Sequence, residues 1–318
     1  MKKRVKQFIK HALWRTVPQL SMRWWMRPAP QEFCIGIYTG VSPFCLVSAK
    51  HVSNPVLTRN SVTDVPAVCV ADPFMCRAGN LWYMFFEVVN QITLKGEIGL
   101  AISENGMQWK YQQIVLAEPF HLSYPYVFEW QNEYYMIPEG GRGGGVSLYK
   151  SANFPVLWSR IATLLKGERF VDNSIFRYHD QWWLLTDAGA ETKSPVLRLY
   201  FAEELTGPWF EHPDNPLLEK NPHVCRPSGR VLILNDKPIR FAQDVFPIYG
   251  SRVSAFEIVE ITVNTYEERQ IGTECVLTSG DDNWNSGGMH HIDPHLLPNG
   301  TWMACVDGFR FHDSISSR

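Results

Sequence analysis

The sequence has few charged residues and no long apolar run. Charged residues make up 19% of the 318 residues, hydrophobic residues 45% and aromatic residues 13%. This composition excludes a disordered chain. Without a run of ~18 apolar residues, no segment is predicted to span a membrane. A formal net charge of −2 argues against a nucleic-acid partner for the body of the protein.

Paired cysteines are also missing. The seven cysteines are an odd number and include no CxxC pair. An oxidised framework favours an even number, and a zinc site needs clustered ligands. We therefore predict buried free thiols in a reducing compartment, a cytoplasmic location, no metal and no cofactor.

Acidic residues are absent from the first 31 positions, which hold eight Lys or Arg. Read as a helix, this segment places its apolar residues on one face. We consider two interpretations, a solvated tail and a peripheral anchor on the anionic inner membrane surface. We expect segment 1–31 to precede one domain from 32 to 310, with a short tail from 311 to 318.

A repeated unit occupies the chain from about residue 64 onward. Each unit opens with a polar marker residue, usually followed by proline, and then an apolar stretch. The markers are 52, 48, 54 and 67 residues apart, about the size of a four-stranded propeller blade. They are Asp72, Tyr124, Asp172, Arg226 and Asp293.

The second strand-like run of every unit ends on a carboxylate. These residues are Glu87, Glu139, Asp187, Asp244 and Asp307. The fifth unit lacks a third strand, but the segment 33–38 near the N-terminus reads like one. We therefore predict an all-β fold, a five-bladed β-propeller whose last blade is closed by an N-terminal strand. The rival, a pair of β-sandwiches, does not explain the recurring carboxylates.

The propeller arrangement predicts a site at one mouth of its channel. Because the first strand of every blade lines the channel, the five markers are expected in one ring at similar depth. The second-strand acids should lie near the same end, and crowded carboxylates raise one another's pKa, as acid–base chemistry requires. The alternative is that these acids only bind backbone amides in repeated turns.

Several motifs, in a fixed order, carry a family resemblance. They read IGIYTG…SPF, ADPFM…WYMFFE, GEIGLAIS, PFHLSYPYVFEW…YYMIPE, GPW…HP, RFAQD and GMHHIDPH. From 33 to 309 the chain resembles the N-terminal domain of glucosamine inositolphosphorylceramide transferases. More broadly, it resembles the five-bladed glycosidases of the arabinanase, xylosidase and fructosidase type.

This resemblance implies a carbohydrate-active protein of glycan or glycolipid assembly, which cleaves or transfers a glycosyl unit at the channel mouth. The alternative is a non-catalytic glycan-binding or scaffolding propeller that works with a separate glycosyltransferase. In the plant members, glycosyl transfer is credited to a separate C-terminal domain. The expected partner is a glycan or sugar-containing small molecule.

The glycosidase template also implies roles for individual residues. Asp72 matches the base of the first blade, and Asp172 stands where the third blade offers its acid. Tyr124 replaces the template's second-blade Asp, and Glu139 is the candidate to compensate for it. The catalytic candidates are thus Asp72, Asp172 and Glu139. The predicted substrate-binding residues are Tyr124, Arg226, Asp244, His291, Asp293, Glu87 and Asp187.

We expect the basic N-terminal segment to bind anionic membranes. Attraction of about 1 kcal/mol per basic residue should hold the protein on anionic vesicles at low salt and weaken as salt rises. Vesicle co-sedimentation of the full chain, with a chain beginning at Glu32 as control, measures this. If both chains stay in the supernatant at low salt, the segment is a solvated tail.

Overall fold

The computed structural model describes residues 31–140, 144–167, 169–189 and 194–311. In these ranges the chain forms 23 strands in five sheets, with two short 3-10 helices at Arg59–Ser61 and Asn283–Asn285. Residues Glu32–Arg310 form one compact unit. None of the helices in the described ranges is long and apolar enough to cross a bilayer.

Each sheet is one blade, and the predicted repeat units correspond to the blades. Blade 1 consists of β3 (Ala67–Ala78), β4 (Leu81–Asn90), β5 (Lys95–Ser103) and β6 (Lys110–Leu116). Blade 2 consists of β7 (Ser123–Trp130), β8 (Glu133–Glu139), β9 (Val146–Asn153) and β10 (Leu157–Leu165). Blade 3 consists of β11 (Val171–Tyr178), β12 (Gln181–Asp187), β13 (Val196–Ala202), β14 (Phe210–Glu211) and β15 (Leu218–Glu219).

The last two blades are less regular. Blade 4 consists of β16 (Arg226–Pro227), β17 (Leu232–Leu234), β18 (Lys237–Asp244), β19 (Arg252–Ile261), β20 (Tyr266–Gln270) and β21 (Leu277–Thr278). Blade 5 combines both ends of the described chain. It consists of β22 (Gly288–Leu296), β23 (Trp302–Phe311), β1 (Gln31–Ser42) and β2 (Cys45–Ser48).

The N-terminal strand closes the ring. The strand order of blade 5 is β22, β23, β1, β2, so β1 and β2 supply the third and fourth strands that the fifth repeat lacks. The ring of Phe33 in β1 lies 4.8 Å from His290 and 5.1 Å from Phe309. The predicted five-bladed propeller with N-terminal closure is confirmed, and the outer edge of β23 is paired.

Apolar side chains on both faces of each blade form the core. In β12 the neighbours Trp182 and Trp183 are both buried. Trp182 packs in the core shared with blades 1 and 2, and Trp183 packs in the core shared with blade 4. Consecutive residues of a strand face opposite sides, so a strand between two blades carries apolar residues at adjacent positions. This explains the near-continuous apolar runs of the second strands.

The channel is crossed by the inner chain of blade 4. This chain leaves its sheet between β16 and β17, and Gly229 lies against Ile292 of blade 5. Gly229 has φ +107°, and a Cβ on it would lie 1.7 Å from the carbonyl oxygen of Ile292, so glycine is required here. The Tyr124 hydroxyl of blade 2 donates to the Gly229 carbonyl at 3.0 Å and lies 2.8 Å from Ser174 Oγ of blade 3.

Arg230, the next residue, joins four blades. Its Nε donates to Asp293 Oδ1 at 2.6 Å, and its Nη2 donates to the carbonyl oxygens of Met75 at 3.1 Å and Val127 at 2.9 Å. The other Asp293 oxygen accepts from the Met75 amide at 2.6 Å. The interior of the channel is therefore filled by side chains and backbone, and a ligand can enter only at a mouth.

Removing the negative charge beneath Arg230 should destabilise the whole ring. Asp293→Asn leaves a buried guanidinium without its counter-ion, and we expect the free energy of unfolding to fall by about 3 kcal/mol. Urea unfolding followed by tryptophan fluorescence measures it. The control is Glu257→Gln, which breaks an exposed pair with Arg269 (3.4 Å) and should change little. Equal losses in the two variants would contradict the cross-linking role of Arg230.

Candidate functional site

Three inner strands carry a β-bulge at the same register. In β3 the pair Ala71–Glu87 is followed by Phe74–Phe85, so two residues oppose one, and β7 and β11 show the same shift. The first bulged residue has a left-handed backbone, with φ +52° at Asp72, +47° at Tyr124 and +54° at Asp172. Such strain in non-glycine residues tends to persist at functional sites, and bulges re-aim side chains.

Asp172 and Glu139 form one half of the site. Arg226 of blade 4 donates from Nε to Asp172 Oδ2, and Gln243 Nε2 donates to the same oxygen at 3.0 Å. The backbone amide of Asp172 donates to Glu139 Oε2 at 3.4 Å, and Arg169 Nη2 lies 3.8 Å from Glu139 Oε1. Both carboxyls are buried, so blades 2, 3 and 4 place two acids and two arginines together.

The surroundings of Glu139 favour its protonated form. Burial, and next the negative charge of Asp172, raise the pKa of Glu139 from 4.5 to about 7. The positive charges of Arg226 and Arg169 act in the opposite direction and are outweighed. A carboxyl with this pKa can hold or release a proton near neutral pH.

Asp72 forms the other half, between blades 1 and 5. Its Oδ1 lies 3.5 Å from His290 Nε2 and 3.9 Å from His291 Nδ1, and its backbone amide donates to Asp307 Oδ2 at 2.9 Å. Burial raises the pKa of Asp72 well above its ordinary value, and the charges of Glu87, Asp307, Asp172 and Glu139 add to the effect. The acids of blades 1, 2 and 3 are therefore near enough for their charges to interact.

The acids that end the second strands all lie at this mouth but have different partners. Glu87 lies 3.1 Å from His121 Nε2, and Asp307 lies 2.6 Å from His290 Nδ1. Asp187 accepts the amides of Gly189 at 2.7 Å and Val196 at 2.8 Å. Asp244 accepts the Phe246 amide at 3.0 Å and pairs with Arg252 at 2.8 Å and His223 at 2.9 Å. For Asp187 these two contacts match the turn-binding alternative.

An open cleft of about 210 Å³ lies at this mouth beside Arg226, and Asp72, Glu139 and Asp172 are not among the residues that line it. The Tyr249 ring is 5.1 Å from the Arg226 guanidinium and 5.3 Å from the His290 ring. The cleft is lined by Arg169, Asp187, Gly189, Pro195, Arg226, Val245 and Tyr249. Two wider grooves of about 580 Å³ lie at the opposite ends of blades 1 and 5, and none of the buried mouth acids lines them.

Two predicted substrate-binding residues lie away from this mouth. Tyr124 shares the bulge register, but its side chain is fully buried and its hydroxyl is used in the channel cross-link. Asp293 pairs with Cys305, further along the strands than the His291–Asp307 pair, and its carboxylate binds Arg230, the Met75 amide and His295. The expectation of five markers at one depth is wrong for Asp293, because blade 5 shifts register between Gly288 and His291.

One group of side chains at this mouth brings together atoms of the kind that ligate metals. Among the described residues, one trio of His, Cys, Asp or Glu side chains, Asp72, His290 and Asp307, has ligand atoms within 4.8 Å of one another. His290 Nδ1 and Asp307 Oδ1 are hydrogen-bonded to each other at 2.6 Å, and Asp307 Oδ2 accepts the backbone amide of Asp72 at 2.9 Å. Hydrogen bonds to Asp307 therefore hold the trio together.

A family model described as "Glucosamine inositolphosphorylceramide transferase 1, N-terminal" matches residues 30–309. The chain belongs to this family. Glucosamine inositolphosphorylceramide transferase 1 of rice (Oryza sativa subsp. japonica) is 35% identical over 308 residues, which cover 90% of this chain and 41% of the relative. The chain thus spans about two fifths of that relative's length. The predicted resemblance is confirmed.

Solved structures share the fold of this family member. A putative glycoside hydrolase from Parabacteroides distasonis superposes with a TM-score of 0.61 at 9% identity, covering 85% of this chain and 98% of the other. An α-L-arabinanase of Cellvibrio cellulosa, solved with arabinohexaose, gives 0.52 at 14% identity, covering 76% and 96%. At these identities the likeness shows the propeller fold alone.

The sequence did not single out His290, Gln243 or Tyr249, although all three contact the mouth residues. The His290–His291 doublet was visible, but a regular strand would send the two rings to opposite faces. The register shift before His291 lets both rings approach Asp72. No sequence pattern pointed to Gln243 as a site residue, apart from its position beside Asp244.

Glu139 should make the protein less stable as pH rises. The folded protein keeps the Glu139 proton up to about pH 7, whereas the unfolded chain loses it near 4.5, so stability present at low pH is lost on the way up. Between pH 5 and 8, the free energy of unfolding of the wild type should fall by about 2 kcal/mol more than that of Glu139→Gln. Urea unfolding at both pH values measures it, with Glu133→Gln at the exposed end of β8 as control. Parallel pH profiles for wild type and Glu139→Gln would refute the assignment.

Proposed function

We propose that this channel mouth binds a glycan and cleaves or transfers a glycosyl unit with Glu139 and Asp72. One observation carries the proposal: Asp72 and Glu139 are buried carboxyls at the same end of two neighbouring blades, and the pKa of each is raised. Paired carboxyls are what glycosyl chemistry requires.

Unsatisfied polar atoms at the mouth support a ligand rich in hydroxyl groups. Both ring nitrogens of His291, Gln243 Oε1 and Arg169 Nε are buried without a hydrogen-bond partner among the described residues. Burial lowers the pKa of His291 to about 4, so at neutral pH its ring offers one donor and one acceptor. Buried polar groups are normally paired, and a sugar hydroxyl both donates and accepts.

We assign the proton transfers as follows. Glu139 gives its proton to the oxygen of the leaving group as the glycosidic C–O bond breaks. Asp72 takes the proton from a water molecule in hydrolysis, or from an acceptor hydroxyl in transfer, as the new C–O bond forms. Asp172, paired with Arg226, supplies the charge that keeps Glu139 protonated. Glu87, Asp187, Asp244 and Arg226 would hold ligand hydroxyls or an anionic group at the rim.

The names of the relatives point in the same direction. The rice relative is named a glucosamine inositolphosphorylceramide transferase, and the Cellvibrio arabinanase was solved with arabinohexaose. Because the chain spans 41% of the rice relative, the alternative is a glycan-binding or scaffolding propeller that serves a separate glycosyltransferase. We also propose a cytoplasmic location at the inner membrane surface through segment 1–31, of which all but Gln31 lies outside the described residues.

Leaving-group dependence tests the assignment of acid and base. A panel of p-nitrophenyl glycosides and matching oligosaccharides, screened by product release, identifies a substrate. Glu139→Gln should then slow oligosaccharide cleavage by about 100-fold but spare the p-nitrophenyl glycoside, because nitrophenolate leaves without protonation. Asp72→Asn should slow both substrates alike, and Glu133→Gln should slow neither.

Other results would change the proposal. Saturable glycan binding in isothermal titration, with no product from any substrate, would support the binding alternative. Full activity in both Asp72→Asn and Glu139→Gln would remove these residues from the mechanism. An absence of both binding and turnover across the panel would overturn a glycan function for this mouth.

A further inference from the structure

Three buried side chains lie in a row at the mouth. Asp307 Oδ1 lies 2.6 Å from His290 Nδ1, and His290 Nε2 lies 3.5 Å from Asp72 Oδ1. Asp307 uses its other oxygen, Oδ2, to accept the backbone amide of Asp72 at 2.9 Å. One carboxylate therefore holds both the imidazole ring and the strained bulge that carries Asp72.

The contact between Asp72 and His290 bears on how Asp72 can act as a general base. A general base must be ionised when its substrate arrives, but Asp72 is buried among four other carboxylates, and this environment disfavours its negative charge. A neighbouring group that accepts the Asp72 proton would restore the base. His290 is the basic side chain within reach of Asp72 that also has a carboxylate to stabilise it as a cation.

We propose that His290 is the proton-holding partner of Asp72 and that Asp307 positions it. The Nδ1–H of the neutral ring donates to Asp307, which leaves the Nε2 lone pair facing Asp72. The Asp72 O–H bond breaks and an Nε2–H bond forms, giving a carboxylate beside an imidazolium. The catalytic meaning of this step rests on the proposed function, in which Asp72 then accepts the proton of water or of an acceptor hydroxyl.

Two aromatic rings pack against the ring of His290. The Phe33 ring packs against it at 4.8 Å and the Tyr249 ring at 5.3 Å. The titratable groups that face it are Asp72 from blade 1, Asp307 and His291 from blade 5, and Tyr249 from blade 4. Because His291 is neutral near pH 7, Asp72 and Asp307 are the carboxyl groups that act on the ring.

Nitrogen NMR of the histidines tests this arrangement without any substrate. The full-length protein, labelled with ¹⁵N-histidine, is titrated between pH 5 and 9, and His290→Gln identifies the His290 signal among the ten histidines. We expect the Nδ1–H tautomer at high pH. In Asp72→Asn the midpoint of the His290 titration should move to lower pH by about one unit, because a neighbouring negative charge is lost.

Asp307→Asn is the second variant, and it should both lower the midpoint and remove the preference for the Nδ1–H tautomer. His212, which bonds the Thr262 carbonyl at 2.9 Å, is the internal reference for an intact fold. A His290 midpoint that is the same in wild type and Asp72→Asn, or an Nε2–H tautomer in the wild type, would overturn the proposed proton transfer between Asp72 and His290. Because no glycan is present, this result is independent of whether the glycan function stands.

Discussion

The architecture depends on the short segment of blade 4 that crosses the channel. Gly229 and Arg230 leave their sheet and bond to residues of the other four blades, through Tyr124, Ser174, Asp293 and Met75. A propeller ring has no covalent closure, so polar contacts along its axis complement the N-terminal strand in holding the blades together. Since the segment also fills the interior, any chemistry must take place at a mouth.

That restriction explains the charge arrangement at the mouth. Acids at the ends of second strands lie just above the filled interior, where burial is high and backbone amides cannot satisfy all of them. Glu87, Glu139 and Asp244 therefore pair with half-exposed basic residues at the rim, His121, Arg169 and Arg252. Asp72 has two histidines nearby, and in the described part of the chain no arginine or lysine pairs with it, so its environment differs from that of the other acids.

The sequence was sufficient for the blade order and the strand closure, because these follow from a repeat whose unit is one sheet. It was insufficient where the register of strand pairing determines which side chains reach the mouth. The bulges in β3, β7 and β11 leave the spacing of the repeat unchanged. The register shift in β22 begins before His291. As a result, His290 lies at the mouth and Asp293 lies away from it. No local pattern revealed Arg230, whose partners lie 63 to 155 residues away.

The position of Tyr124 shows how the site can work without an inner-strand acid in blade 2. A tyrosine there reaches across the channel and satisfies Gly229, a task that a shorter aspartate side chain would not perform from the same bulge. The acidic function is then available one strand outward, at Glu139, which the amide of Asp172 contacts directly. The mouth is thus assembled from two rings of strands, with the inner ring supplying Asp72, Asp172 and the channel cross-link and the second ring supplying Glu139.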